Sequence, residues 1–410
     1  MTLTTATRPN TGDLLDTIAA QLADPGIIDR TAGERTNPAS LAGGAVGIAL
    51  LHLERAVSGR GDEATAHHWI RAATGDPVSA GPNANLFHGV PTLALLLHAA
   101  TALGGYQRTA ALLSDRTVAL TRTRLAAATA RLDAGQALTM SEFDLVHGLT
   151  GHGVYHLRRH PDHPITHDVL TYLTRLTTPL ASAGGRPPWW LDSGLGGTPD
   201  PSFPGGHGNL GVAHGISAVI ALLALAVTTG QHPPGTLDAI ADLCSWTDQH
   251  CHHDGTSWWW PPYLTDAAAR ATPSRHRPSW CYGTAGIARA QQLAGLALHD
   301  TVRQHRAEAA MRTAVTEPGW RTLLTEPGLC HGSAGLLQAA WRTATSSTTA
   351  TAAQITTHLP GLADDLAHQL QTAAPDTPEL MNGLAGAALA LHNAHTGTNA
   401  TGWDAFLLLA

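Results

Sequence analysis

Residues 279–290 read SWCYGTAGIARA, and residues 328–339 read GLCHGSAGLLQA. Each stretch places a glycine turn directly before a run of small and apolar residues, a pattern that predicts the start of a helix. Five further copies of this pattern occur along the chain. They are SLAGGAVGIALL (40–51), NLFHGVPTLALLL (85–97), DLVHGLTGHGVYHL (144–157), GVAHGISAVIALL (211–223) and ELMNGLAGAALAL (379–391). The chain therefore contains a sevenfold internal repeat.

One glycine anchors each copy, and successive anchors are separated by 45, 59, 67, 68, 49 and 51 residues. The anchors are Gly44, Gly89, Gly148, Gly215, Gly283, Gly332 and Gly383. These spacings fit a pair of helices in each unit. A second small residue three positions after most anchors favours tight packing of inner helices. Amphipathic stretches between the copies, such as 112–132 and 362–370, predict outer helices. We therefore expect a single all-α domain over residues 1–410: an α/α toroid of seven inner and seven outer helices.

Two regions interrupt the repeat. Residues 184–208 are rich in Gly and Pro, and residues 252–280 combine three consecutive tryptophans with an Arg-, His- and Pro-rich segment. Long irregular loops in a compact fold are usually lids or binding loops, so we expect these regions to contribute to function. The alternative is that they only cover the end of the barrel. No convincing alternation of apolar and polar residues predicts a β-sheet.

Composition excludes several classes of protein. Charged residues make up only 13% and hydrophobic residues 43% of the chain, which is typical of a globular protein. The net charge is −7 and no basic run occurs, so we expect no nucleic-acid partner. The N-terminus has no apolar core, and the longest apolar stretch, 216–227, is shorter than the roughly 20 residues that span a bilayer. We therefore expect a cytoplasmic protein without a transmembrane segment.

The repeat register places two of the four cysteines at equivalent positions. Cys281 and Cys330 each lie two residues before the anchoring glycine of neighbouring units, and His331 follows Cys330. Two thiolates and an imidazole suit Zn²⁺, and three protein ligands with an open position are typical of a catalytic site. The alternatives are inert buried cysteines or a disulfide. Cys244 and Cys251 fall outside the register, and we interpret them as structural.

Four motifs together carry a resemblance to a known family. They are NLGVAHG (209–215), WCYGTAG (280–286), CHGSAG (330–335) and WDAFLLL (403–409). The chain resembles the lanthionine synthetase C (LanC) cyclases over almost its full length. The resemblance implies an α-toroid with zinc bound by Cys281, Cys330 and His331. It also implies that the reacting centre is surrounded by His214, Asp144, Arg277 and Tyr282.

The resemblance further implies a stand-alone cyclase of class I lanthipeptide biosynthesis. Such an enzyme adds a peptide cysteine thiol to dehydroalanine or dehydrobutyrine and forms an enolate that must be protonated. His214 is the best candidate for the acid, Arg277 can stabilise the enolate, and Asp144 can act as a base or orient His214. The expected partners are a dehydrated precursor peptide, with leader and core, and a separate dehydratase.

Other interpretations of the sequence remain open. His214 can simply line the mouth of the ring, and Asp144 can be a helix N-cap. The chain can be a LanC-like glutathione transferase that acts on dehydrated proteins, or a non-catalytic peptide-binding toroid stabilised by zinc. A carbohydrate-active helical barrel is disfavoured because such enzymes need paired carboxylates, and Asp144 has no evident partner in the repeat register, where only Glu379 is also acidic.

Overall fold

The computed structural model describes residues 10–28, 37–194, 198–265 and 274–410. Its helices are numbered here in chain order. The seven inner helices are α2 (Ala45–Val57), α4 (Val90–Ala100), α7 (Leu149–Arg159), α9 (Ile216–Thr228), α11 (Thr284–Leu298), α14 (Ser333–Thr345) and α16 (Leu384–Thr396). The seven outer helices are α1 (Thr11–Gln21), α3 (Glu63–Thr74), α5 (Gln107–Asp133), α8 (Pro164–Thr174), α10 (Thr236–Asp248), α12 (Thr301–Thr316) and α15 (Ala350–Thr372). Two short helices, α6 (Met140–Phe143) and α13 (Pro318–Arg321), lie in connecting segments.

The inner helices form a closed ring. Each inner helix packs against the next one in the chain, and α16 packs against α2 to complete the circle. Helix α1, at the other end of the chain, packs on α16 and serves as its outer partner. The α/α toroid with seven inner and seven outer helices is therefore confirmed. Among the described residues, no helix has both the length and the apolar character needed to cross a membrane.

The anchoring glycines set where the inner helices begin. Every inner helix starts at the residue after its anchor, which occupies the N-cap position. Where the residue three positions later is glycine, the preceding turn leaves no room for a side chain. A Cβ on Gly286 would lie 2.0 Å from the Trp280 carbonyl oxygen, and one on Gly335 would lie 2.1 Å from that of Leu329. A Cβ on Gly47 would also lie 2.5 Å from the Leu380 Cβ atom of the neighbouring unit, so the tight packing that the sequence predicts is present together with the contact to the preceding turn.

The segment near the C-terminus fills the centre of the ring. Residues Trp403–Leu407 form a buried 3₁₀-helix, in which the Asp404 carboxylate accepts hydrogen bonds of 2.6 Å from Arg342 and Gln338 on α14. The Trp280 indole donates to the Leu407 carbonyl at 2.9 Å. Because Trp280 immediately precedes Cys281, this contact fixes one of the turns that carry the expected metal ligands.

The two regions that interrupt the repeat contain the only strands in the described ranges. Strands β1 (Gly208–Asn209) and β4 (Tyr263–Leu264) pair antiparallel, and so do β2 (His252–His253) and β3 (Trp258–Trp259). Each strand has two residues, which is too short for an alternating pattern in the sequence. The β1–β4 pair joins the two irregular regions to each other. Further 3₁₀-turns occur at Thr101–Leu103, Arg175–Thr177 and Ala181–Ala183. Residues 195–197 and 266–273 of the predicted loops lie outside the described residues.

Candidate active site

Backbone hydrogen bonds connect neighbouring glycine turns at one position of the repeat. The Cys281 N–H donates to the Cys330 carbonyl at 3.1 Å, and the Cys330 N–H donates to the Met381 carbonyl at 2.8 Å. On the other side, the Ala213 N–H donates to the Cys281 carbonyl at 3.1 Å. All four residues lie two positions before their anchors. The register that the sequence predicted is therefore a physical row of neighbours around the mouth of the ring.

Cys281, Cys330 and His331 meet in this row. One potential ligand atom from each residue, a sulfur or an imidazole nitrogen, lies within 4.8 Å of the other two. Both cysteines are free, so the disulfide alternative is wrong. The arrangement offers two soft sulfur donors and one imidazole on adjacent turns, and this donor set fits zinc.

The electrostatics of the cluster distinguish Cys281 from the cysteines outside the register. A hydrogen bond from the Cys330 thiol lowers the pKa of Cys281, and the hydrogen bond between Cys281 and His331 raises the pKa of the imidazole. Burial instead raises the pKa of Cys244 and of Cys251 to about 12. Thiolate character, which metal binding requires, is thus favoured at Cys281, whereas the same hydrogen bond raises the pKa of Cys330, its donor.

Glu326 supports the histidine of this cluster. The His331 Nε2 atom lies 2.9 Å from a carboxylate oxygen of Glu326, which leaves Nδ1 as the available metal donor. A carboxylate on the second ring nitrogen is the usual partner of a metal-bound histidine, because it fixes the tautomer and the ring orientation. Sequence reasoning missed Glu326, since a single acid in a loop carries no recognisable signal.

A second cluster is built around Asp144. The Asp144 side chain is fully buried, and one of its oxygens lies 2.5 Å from the His214 Nδ1 atom. The other oxygen accepts the His147 backbone N–H at 2.6 Å. The N-cap of the following helix is Gly148, so the N-cap interpretation of Asp144 is wrong. One oxygen of Asp144 therefore stabilises the turn that contains it, and the other orients the His214 imidazole.

Stacked rings connect the two clusters. The His214 ring lies between the ring of His147, with centroids 5.2 Å apart, and that of Tyr282, with centroids 6.2 Å apart. Tyr282 directly follows Cys281 and also contacts the Tyr263 ring at 5.3 Å. Burial raises the pKa of Tyr282, so its hydroxyl stays protonated at neutral pH. The aromatic row continues to Phe203, 5.1 Å from Tyr263, and thus links both irregular regions to the mouth.

Arg277 occupies the exposed rim beside the cysteines. Its carbonyl accepts the Ser279 N–H at 2.8 Å, and its guanidinium makes no hydrogen bond or ion pair with any residue in the described ranges. Interactions with Cys281 raise the pKa of Cys330 and of His331, and the Arg277 charge opposes both effects. The guanidinium is therefore near the cluster and available to an anionic group from outside.

An outer helix fixes the Asp144 turn from behind. The Arg124 guanidinium, on α5, donates to the carbonyls of Ser141 at 2.6 Å and His147 at 2.5 Å, on either side of Asp144. It also donates to the Ala84 carbonyl at 2.8 Å in the neighbouring unit. Sequence reasoning missed this contact because Arg124 lies in an amphipathic helix, where an arginine usually faces solvent.

A closed helical ring with a Cys₂His cluster in its mouth defines this protein as an α/α toroid with a candidate metal site. The family model described as lanthionine synthetase C-like protein matches residues 35–408, and the chain belongs to that family. A solved structure named nisin cyclase has the same fold, with a TM-score of 0.78 at 18% sequence identity. The match covers 97% of this chain and 98% of that chain. No curated protein matches the sequence significantly.

Proposed function

We propose that this protein is a zinc-dependent lanthipeptide cyclase. It would add cysteine thiols of a dehydrated peptide to dehydroalanine or dehydrobutyrine and form (methyl)lanthionine rings in a class I lanthipeptide. The observation that carries the proposal is the convergence of Cys281, Cys330 and His331 in the mouth, linked through Tyr282 to the Asp144–His214 pair. Membership of the LanC-like family supports the same reaction class.

The three donors leave an open position for a substrate. Zinc held by Cys281, Cys330 and His331 would supply the positive charge that keeps a substrate thiol, with an ordinary pKa near 8.5, in its thiolate form. The role of the chain is to orient these donors: backbone hydrogen bonds fix the two cysteine turns, and Glu326 fixes the imidazole. A closed four-ligand site would instead indicate a structural role.

In this proposal His214 completes the addition. The substrate sulfur forms a bond to the β-carbon, the electrons of the double bond pass to an enolate, and a proton must then reach the α-carbon. With Nδ1 of His214 bound to Asp144, the Nε2 atom remains to pass the proton that the thiol releases on to the α-carbon. Asp144 fits an orienting role, because it is fully buried and both of its oxygens are engaged.

Arg277 and Tyr282 complete the environment of the reacting centre. The exposed guanidinium of Arg277 has no competing acidic partner in the described part of the chain, so it can stabilise the enolate oxygen. The ring of Tyr282 packs on that of His214 and restricts its orientation. Arg277 and Tyr282 thus both belong to the segment that leads into the Gly283 turn, next to Cys281.

The partners follow from the reaction. The substrate would be a precursor peptide with leader and core, already dehydrated by a separate dehydratase in the cytoplasm. The row formed by Phe203, Tyr263 and Tyr282 runs from the irregular regions towards the metal donors. Aromatic faces of this kind suit contact with an extended peptide, so we assign regions 184–208 and 252–280 a binding role.

The experiment uses a dehydrated, cysteine-containing precursor peptide and counts its alkylatable thiols, because cyclisation does not change the mass. Incubation with the zinc-loaded protein should remove these thiols, and chelation or Cys281→Ala should preserve them. The Cys244→Ala variant is the matched control and should remain active. Thiols that stay fully alkylatable contradict the proposal and favour a non-catalytic toroid. A product heavier by a glutathione, formed when glutathione is present, would identify the glutathione transferase instead.

A further inference from the structure

The cluster of Asp144, His147 and His214 is also a candidate metal site. One ligand atom from each residue lies within 4.8 Å of the other two, the same criterion that the cysteine cluster meets. Asp144 is fully buried, whereas the two imidazoles are half-buried at the mouth of the ring. Two histidines and a carboxylate on a rigid frame form a familiar donor set for a divalent cation.

Imidazole donor atoms of both histidines are available. Neither ring nitrogen of His147 makes a hydrogen bond with the described residues, and Nε2 of His214 is equally unpartnered there. Burial lowers the pKa of His147, so its imidazole is neutral at neutral pH and offers a lone pair. Arg124 binds the carbonyl groups of this turn rather than the Asp144 carboxylate, which therefore keeps its charge free of a bidentate partner.

We propose that Asp144, His147 and His214 form a second divalent-metal site that takes Zn²⁺ or Co²⁺ more weakly than the cysteine cluster. The affinity is lower because the site has no thiolate. Binding would replace the hydrogen bond between Asp144 and His214 with coordination of one or both residues. The further consequence, which rests on the proposed function, is that an excess of metal occupies the proton donor and inhibits ring formation.

The test of binding does not depend on activity. Zinc-loaded protein is titrated with Co²⁺, freed of unbound metal and examined by absorption spectroscopy. Cobalt at the second site should give ligand-field bands without sulfur-to-cobalt charge transfer. The His147→Phe variant keeps a ring against His214 but removes two donor atoms, and it should bind this cobalt more than about tenfold more weakly. His88→Phe, at the same register position in another unit, should bind it normally.

Several results would overturn the second site. Wild-type protein that retains no cobalt, or cobalt that appears only with sulfur charge transfer after exchange with zinc, would show that the cluster does not bind metal. Undiminished cobalt binding in His147→Phe would place the ion elsewhere. If His147→Phe loses its helical circular dichroism, His147→Gln provides the same comparison. A protein without cyclase activity leaves the spectroscopic result intact, so the failure of either proposal is recognised separately.

The activity measurement tests the consequence. Thiol loss from the dehydrated peptide should fall as zinc is raised beyond the amount that fills the cysteine site. In His147→Phe the residual rate should resist this excess. Inhibition of equal strength in the variant and in wild type would contradict the assignment of inhibition to this cluster.

Discussion

The second and sixth glycine turns each accept a backbone hydrogen bond from the preceding unit, but their side chains have different chemistry. The Phe87 carbonyl accepts the Leu41 N–H at 2.9 Å, just as the Cys330 carbonyl accepts the Cys281 N–H at 3.1 Å. Both positions lie two residues before an anchor. The Phe87 side chain packs edge-on against Phe406 in the centre of the ring, whereas Cys330 joins Cys281 and His331.

This comparison distinguishes the backbone features that form the ring from the side chains that give its mouth a chemical function. The anchoring glycine and the hydrogen bonds between turns recur irrespective of the neighbouring side chains, so they account for the toroid. The residue two positions before the anchor then serves either the core, as in Phe87, or the candidate metal site, as in Cys330. A toroid of this kind can change its chemistry at the mouth without changing its frame.

The largest expected effect is a difference in cyclisation rate between variants of His214 and His88, which occupy the same register position. His214 is bound to Asp144, and His88 is not part of that cluster. We expect His214→Asn to slow thiol loss by about 10²–10⁴-fold, because it removes a positioned proton donor. Zinc content should be unchanged. His88→Asn is the matched control and should cyclise at the wild-type rate. A wild-type rate for His214→Asn would show that His214 only lines the mouth of the ring.

The sequence predicted the ring and one of its two clusters for a definite reason. The glycine turns recur with a detectable spacing, and the metal donors lie at a fixed offset from those glycines, so Cys281, Cys330 and His331 could be aligned by counting. The family resemblance supplied His214, Asp144, Arg277 and Tyr282. The structure brings these residues to the mouth, while their roles stay predictions.

The remaining features have no periodic signal. Glu326 contacts His331 within the same connecting segment, and Arg124 binds carbonyl groups of two other segments. Nothing in their local sequence distinguishes these two residues from surface charges. The pairing of β1 with β4 joins residues of the two irregular regions that are more than 50 positions apart in the chain, through strands too short to show alternation. Features of this kind depend on tertiary packing and become visible only in three dimensions.

The next largest expected effect is a loss of stability when the core residue Phe87 is truncated. We expect Phe87→Ala to lower the free energy of unfolding by about 3–5 kcal/mol, since it removes a buried ring that packs on Phe406. Denaturant unfolding followed by circular dichroism measures this loss. The folded variant should still bind zinc, because its turn holds no metal ligand. Loss of zinc from folded Phe87→Ala protein would show that frame and chemistry are not separable.

The smallest effect concerns the carboxylate behind His331. We expect Glu326→Gln to weaken zinc binding by about 10–100-fold, because the amide no longer supports the imidazole with a negative charge. Competition with a chromophoric chelator measures the affinity. Glu317→Gln, which removes a carboxylate paired with Arg275, is the control and should bind zinc as wild type does. Equal affinity in both variants would rule out a supporting role for Glu326.

The most direct test of the account is the zinc content of three cysteine variants. Cys281 and Cys330 share the register position at the mouth, whereas Cys244 is buried in outer helix α10. We expect purified Cys281→Ala and Cys330→Ala to lose their zinc while keeping wild-type helical circular dichroism, because the ring has its own hydrophobic core. Cys244→Ala should retain a single zinc ion per chain. A full complement of zinc in both Cys281→Ala and Cys330→Ala would contradict the assignment of the metal site.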